Sequence, residues 1–442
     1  RPQRIAVRNS RGAPRPITER PVFAPGGVGS SLAATCYSLP LSVALVLQFL
    51  PMRTLRPIIL LLIAVALPLA PPIRAQSDPD AWTTGRLNLR AGPGTEHAVI
   101  GQLEAGSALL LQARSPDFGW LLALTADRTA RGWIASGYVT YRPGYAVDRL
   151  PVRDDALDPN AGPLPVEIAP QTEIVEMYGA VDVVRALAER IDLEAYPLIP
   201  DATATARRLY RQGQAKGRDP RAIAKVGDCN SVGYVFLHPF GEGRYKLGDY
   251  AALQPVIDRF GASFNVLTQA AHNGMNAAAV LDPLWANPNS CQPGESPLAC
   301  EYRLRNPAFA VIMFGTNDLL ALDHVQFDRS LRRVVVETMH AGIVPVLSTF
   351  PRHLALPDRS ILFNQIVVRV ALDYNLPLIN LWRALEPLPG HGIAADGFHL
   401  SGPLTGAGDF ATEANLETGF PLRNLITLQA LDAVWRGVTG ES

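Results

Sequence analysis

The chain has 442 residues, 48% hydrophobic and 18% charged, a composition that suits a globular protein of two or three domains and excludes a disordered or collagen-like chain. Its formal net charge of zero conceals an asymmetry: residues 1–75 hold nine Arg, no Lys and one acid, leaving 31 bases against 39 acids in the remainder. An acidic main body lacks the basic face that general nucleic-acid binding requires.

Residues 1–51 mix Pro, Arg, Gly and Ser without a clear period, apart from an apolar stretch over 39–50, and are expected to be untranslated upstream sequence or a lost leader. From Met52 the sequence runs MRTLRPIILLLIAVALPLAPPIRAQS, with two arginines, an apolar core and a small residue at Ala75. That order is expected of a signal peptide over 52–75. Its apolar run, residues 57–70, is 14 residues long, short of the ~20 that a spanning helix needs. No integral membrane span is therefore expected after processing, and the protein is expected to be secreted or held in the cell envelope. In that oxidising setting Cys36 falls in the discarded segment, Cys291 and Cys300 bracket a Pro/Gly turn that allows them to pair, and Cys229 is left as a free thiol.

Residues 81–142 alternate short β-rich runs (LNLR, AVIGQL, ALLLQAR, GWLLALT, RGWIASGYV) with turn signals, the pattern of a small all-β module. Leu87-Asn88-Leu89-Arg90, Gly92-Pro93-Gly94, Gly101, Gly106, Gly119-Trp120 and Gly132-Trp133-Ile134 resemble the bacterial SH3 (SH3b) domain. The resemblance implies an SH3-like barrel that binds or targets without chemistry, with a cell-wall ligand such as peptidoglycan. The plainer alternative is a spacer barrel whose Trp120 and Trp133 are only core. Residues 143–170, rich in Pro and Asp, are expected to be a linker. Helical patterns around VDVVRALAERI and ATARRLYRQGQAKG are expected to form an N-terminal cover for a domain spanning 171–442.

From Arg221 the period alternates. AIAKVGD, FNVLTQAAH, PAFAVIMFG, IVPVLSTF and LPLINLW read as five strands, with YAALQPVIDRF, FDRSLRRVVVETMH, LFNQIVVRVALDYN and NLITLQALDAVW as helices. In the second helix Phe327, Leu331, Val334, Val335 and Thr338 fall on one face. Continuous apolar strands between amphipathic helices predict an α/β domain with a parallel sheet covered on both faces. In such sheets ligands sit at the carboxyl ends of strands.

Those ends carry Gly227-Asp228-Cys229-Asn230-Ser231, His272-Asn273-Gly274 and Gly315-Thr316-Asn317-Asp318, and the loop after the fifth carries Asp396-Gly397-Phe398-His399. A nucleophile, amide donors and a base with an orienting carboxylate are the parts that acyl transfer requires. Gly315-Thr316-Asn317-Asp318 and Asp396-Gly397-Phe398-His399 match the third and fifth blocks of the SGNH/GDSL hydrolases, and residues 221–438 resemble that family in block order. The resemblance implies a flavodoxin-like three-layer α/β/α fold, hydrolysis of an acyl ester, His399 as general base oriented by Asp396, and an oxyanion site shared by the Asn317 amide with N–H groups of the Gly274 block and the nucleophile. Gly274 lies slightly before the family's glycine position, and Ala277 is an alternative backbone donor.

The family's serine position holds Cys229, a residue able to carry appreciable thiolate beside a His or a helix N-terminus. Ser231, two places on, is the competing nucleophile. The substrate expected is a small-molecule or carbohydrate acyl ester. The remaining histidines show no metal-ligand spacing and no nucleotide-binding glycine loop follows a strand, so neither a metal nor a cofactor is expected. The alternative function is a non-catalytic protein that binds peptidoglycan or polysaccharide through a degenerate site.

Overall fold

The computed structural model describes residues 78–157 and 182–441. The expected leader, signal peptide, Cys36, the end of the linker and the start of the helical cover lie outside them. Among the described residues no helix is long and apolar enough to cross a membrane.

Seven strands form the N-terminal module: β1 (Ala81–Thr83), β2 (Leu87–Arg90), β3 (Val99–Leu103), β4 (Ala108–Arg114), β5 (Trp120–Thr125), β6 (Arg131–Ala135) and β7 (Val139–Tyr141). They make one antiparallel sheet in the order β3-β2-β6-β5-β4-β1-β7. The period-2 pattern predicted this: Leu87 and Leu89 are buried while Asn88 and Arg90 are half-exposed. Trp133 is fully buried, and its indole N–H donates to the Asp155 carbonyl at 3.1 Å. The expected linker thus begins as a strap on the barrel, with Arg114 N–H donating to Pro151 O and Leu157 N–H to Ala91 O.

The second sheet is parallel, in the order β11-β10-β9-β8, built from β8 (Asp219–Gly227), β9 (Pro307–Met313), β10 (Val344–Ser348) and β11 (Leu378–Ile379). Every residue of β9 and β10 is buried, as continuous apolar runs require. One face carries α1 (Val183–Ala188), α5 (His324–His340) and α6 (Pro357–Asp373), and the other α2 (Ala204–Ala215), α3 (Gln254–Phe264) and α7 (Gly419–Thr439), with α4 (Pro297–Arg305) packed against β8. The result is a three-layer α/β/α domain. Helix α5 starts with a capping box between Asp323 and Gln326, and buries Phe327, Leu331, Val334, Val335 and Thr338 as its period predicts.

FNVLTQAAH does not form the expected strand. Side chains capture the donors and acceptors a ladder would use: Gln269 N–H donates to Glu301 at 2.7 Å, Ala270 N–H to the Thr268 hydroxyl at 3.0 Å, and that hydroxyl donates to Lys225 O at 2.7 Å. Only a single bridge between Gly227 and Ala271 remains.

The SH3-like module packs on α5 through the turn Ser136–Tyr138. There Arg332, fully buried, donates to Asp328 at 2.9 Å, to Asp373 at 2.8 Å and to the Thr140 hydroxyl of β7 at 3.3 Å. The Tyr141 ring meets Tyr374 edge-on at 5.9 Å.

Candidate active site

Strand β8 stops at Gly227 because the chain crowds there. A Cβ on Gly227 would lie 2.4 Å from Met313 O and 2.5 Å from Ser231 Oγ. The next residues form a 3-10 turn, Cys229–Ser231, capped by Asp228, whose Oδ1 accepts from Asn230 N–H at 3.0 Å. Oδ2 of Asp228 accepts from Thr316 N–H at 3.2 Å. Burial raises the Asp228 pKa, opposed by Arg423 and by these N–H groups.

The turn settles which way its two candidate nucleophiles point. Ser231 is 2% exposed, and its Oγ accepts from Arg423 Nη2 at 3.0 Å. Arg423, on α7, also donates to Asn230 O and lies with its guanidinium carbon 3.6 Å from the Phe236 ring centre. Cys229 is half-buried and its Sγ lies 4.0 Å from Asn317 Oδ1. Burial, with Asp228 adding to it, pushes the Cys229 thiol up to about 12, and the three-residue turn offers no long helix N-terminus to pull it down.

The third block follows β9. Gly315 has φ +143, and a Cβ there would meet Phe350 at 2.1 Å, so the position requires glycine. Asp318 is buried; its Oδ1 accepts from Ala277 N–H at 2.8 Å and its Oδ2 from Gly315 N–H at 2.9 Å. Burial raises its carboxyl to about 7. Because Ala277 N–H is engaged by Asp318, it is not an oxyanion donor, contrary to the alternative offered by the sequence. Asn317 donates through Nδ2 to Met275 O at 2.9 Å and turns Oδ1 toward the sulfur, so one N–H of its amide remains open. Gly274 is exposed with φ +81, in a turn closed by Met275 N–H donating to His272 O at 3.2 Å. Its own N–H has no partner among the described residues.

His399 and Asp396 meet as expected. Asp396 Oδ2 lies 2.8 Å from His399 Nδ1, and Oδ1 accepts from the N–H groups of His399 and Phe398 at 3.0 and 3.1 Å. Burial is the largest single influence and acts upward, but the hydrogen bonds from His399 and Phe398 together outweigh it and hold the Asp396 carboxyl down to about 2. The aspartate therefore stays ionised and fixes the tautomer with the proton on Nδ1. The ring of Phe398 lies 4.2 Å from that of His399 and stacks on His353 at 5.7 Å. Nε2 of His399 is left without a protein partner among the described residues.

Asn230, which sequence reasoning passed over, ties the blocks together. Its Nδ2 donates to Thr316 Oγ1 at 3.2 Å, its Oδ1 accepts from Leu400 N–H at 3.0 Å, and its carbonyl accepts from Arg423. The available signal was an amide side chain between the two candidate nucleophiles, inside the turn Cys229–Ser231. Arg423 carried no such signal, being one of several polar residues in its helix, among them Asn424, Asp432 and Arg436.

Comparison with known proteins adds to this geometry. The family model of the bacterial SH3 domain matches residues 85–140. Those residues are a bacterial SH3 domain. No curated protein matches the chain. Among solved structures, the chain is similar to the psychrotrophic esterase EstA from Pseudoalteromonas sp., at 16% identity over 50% of this chain and 99% of that one, with a TM-score of 0.32. An acetylxylan esterase from Geobacillus stearothermophilus aligns at 15% identity over 48% of this chain and 95% of that one, with a TM-score of 0.32. A GDSL-like lipase from Bacteroides thetaiotaomicron aligns at 14% identity over 51% of this chain and 97% of that one, with a TM-score of 0.29. The SH3 domain and the α/β domain are packed through α5, so the strand-end loops and the barrel belong to one compact unit.

Proposed function

We propose that the chain is an ester hydrolase in which Cys229 attacks an acyl carbonyl and the His399–Asp396 pair handles the proton. The observation that carries this reading is the Asn230 cross-link, which binds the Cys229 turn to Thr316 on one side and to Leu400, next to His399, on the other. A thiol held near 12 attacks only as a base removes its proton. His399 Nε2 takes that proton while sulfur bonds to the carbonyl carbon. The resulting oxyanion is met by the open Asn317 N–H and the Gly274 N–H. Collapse returns the proton from His399 to the leaving alkoxide and leaves a thioester, which a water deprotonated by His399 then hydrolyses.

The substrate of this proposal is a small-molecule or carbohydrate acyl ester, and the SH3 domain contributes a cell-wall-binding function to an exported protein. One observation favours the second reading, a non-catalytic envelope-binding protein: the same elevated thiol pKa that makes Cys229 a poor nucleophile without its base. Turnover of short-chain nitrophenyl esters by the full chain, by Cys229→Ala and by His399→Ala separates the two. Loss of turnover in both variants supports the hydrolase, and turnover that persists in both sinks it.

A further inference from the structure

A cleft of about 480 Å³ opens between the SH3 domain and the α/β domain, away from the strand-end loops described above. Its walls come from the strap after β7 (Tyr145, Arg149), from the end of α1 and the loop beyond it (Arg190, Tyr196), and from α6 and its C-terminal turn (Arg369, Asn375). Three of these residues are arginines and no lining residue is acidic. Three acids nearby have partners of their own. Asp148 pairs with Arg208 at 3.6 Å, Glu189 with Arg185 at 3.4 Å, and Asp192 caps the turn Leu193–Ala195 through Glu194 N–H at 2.9 Å.

Arg369 is the informative member. It is 1% exposed, yet among the described residues Nε, Nη1 and Nη2 make no hydrogen bond, and its ion pair is with Asp373 Oδ1 at 3.2 Å from Nη2. That carboxylate is shared, since its other oxygen accepts from Arg332 at 2.8 Å. Inside the fold Arg332 and Arg369 balance Asp328 and Asp373, and Arg149 and Arg190, exposed and without ion pairs among the described residues, place two guanidinium groups at the cleft. A desolvated guanidinium with unsatisfied N–H groups is costly unless an acceptor completes it.

We propose that this cleft binds a small ligand bearing an oxyanion, a phosphate or a carboxylate group, held by Arg149, Arg190 and Arg369. Guanidinium forks match the planar or tetrahedral oxygens of such groups and form charge-assisted hydrogen bonds with them. Tyr145 and Tyr196 also line the site. Because the strap belongs to the barrel side and α6 to the α/β side, a bound anion joins the two domains.

The test is calorimetric titration of the full chain with inorganic phosphate and, separately, with citrate, ionic strength being held constant with sodium chloride. Saturable binding at one site is expected for at least one anion, and which one binds identifies the group. The double variant Arg149→Ala/Arg190→Ala removes two exposed side chains and is expected to keep the fold, as checked by thermal unfolding. It is expected to weaken binding about tenfold or more. Absence of saturable binding to both anions, or equal affinity in the folded double variant, overturns the proposal.

Discussion

Arg423 Nη2 donates to Ser231 Oγ at 3.0 Å in the turn Cys229–Ser231, and the same guanidinium donates to Asn230 O. The contact turns Ser231 into a buried anchor and leaves Cys229 as the turn's outward residue. Ser231→Ala is expected to keep ester turnover and to lower stability by about 1–3 kcal/mol, because an Arg423 N–H loses its acceptor in a buried site. Chemical denaturation and steady-state kinetics on the same sample measure both. Abolished turnover in a folded Ser231→Ala protein would return the nucleophile to Ser231.

Asn230→Ala removes the acceptor of Leu400 N–H and the donor to Thr316. Leaving a buried N–H unpaired costs about 1–3 kcal/mol, and the loop carrying His399 loses its tie to the turn carrying Cys229. The expected result is a fall in kcat larger than any rise in KM, with a lowered Tm. An unchanged kcat would separate the cross-link from the chemistry.

The thiol of Cys229, pushed up to about 12, is expected to react slowly with iodoacetamide at neutral pH, more slowly than a free cysteine of pKa about 8.5. The rate is expected to climb steadily through the alkaline range without a plateau near 8.5. Stopped alkylation assayed by mass spectrometry gives the profile. A fast, pH-independent reaction at pH 6–8 would mean that a thiolate is already present. Cys229→Ser, which keeps the base-dependent route, is expected to retain ester turnover.

Asp318 is buried with its carboxyl raised to about 7. The native state therefore binds a proton that the unfolded chain, with an ordinary Asp pKa of about 3.9, has already released. Stability contributed by the neutral acid is full below about pH 4 and declines as pH rises toward 7, with a slope of at most about 1.4 kcal/mol per pH unit. Asp318→Asn, which does not ionise, is expected to flatten that decline whatever its effect on absolute stability. Denaturant midpoints between pH 4 and 8 for both proteins are the comparison, and parallel curves would refute it.

Cys291 and Cys300 form a disulfide across a separation of 9 residues. Closing a loop of that size stabilises by about 2–3 kcal/mol in the chain-entropy model. Reduction with dithiothreitol is expected to lower Tm without changing the secondary structure seen by circular dichroism, and an unaltered Tm after verified reduction would contradict it.

Much of the protein was determined by its sequence alone. Alternation in residues 87–134 required a small sheet, and the apolar runs of β9 and β10 required strands buried on both faces, because each pattern reports burial directly. Asp396 and His399 were legible as a pair through the resemblance of their block to the SGNH/GDSL pattern, and a local turn does bring carboxylate and imidazole together. The fate of FNVLTQAAH was not legible, since the side chains of Thr268 and Glu301 compete for its backbone groups and Glu301 comes from 32 residues away. Nor was the protonation of Cys229, which depends on how deeply the turn sinks beside Asp228. The burial of Ser231 against Arg423, nearly two hundred residues downstream, was not legible either: periodicity records which residues are buried, and only the packed tertiary structure records which buried groups meet.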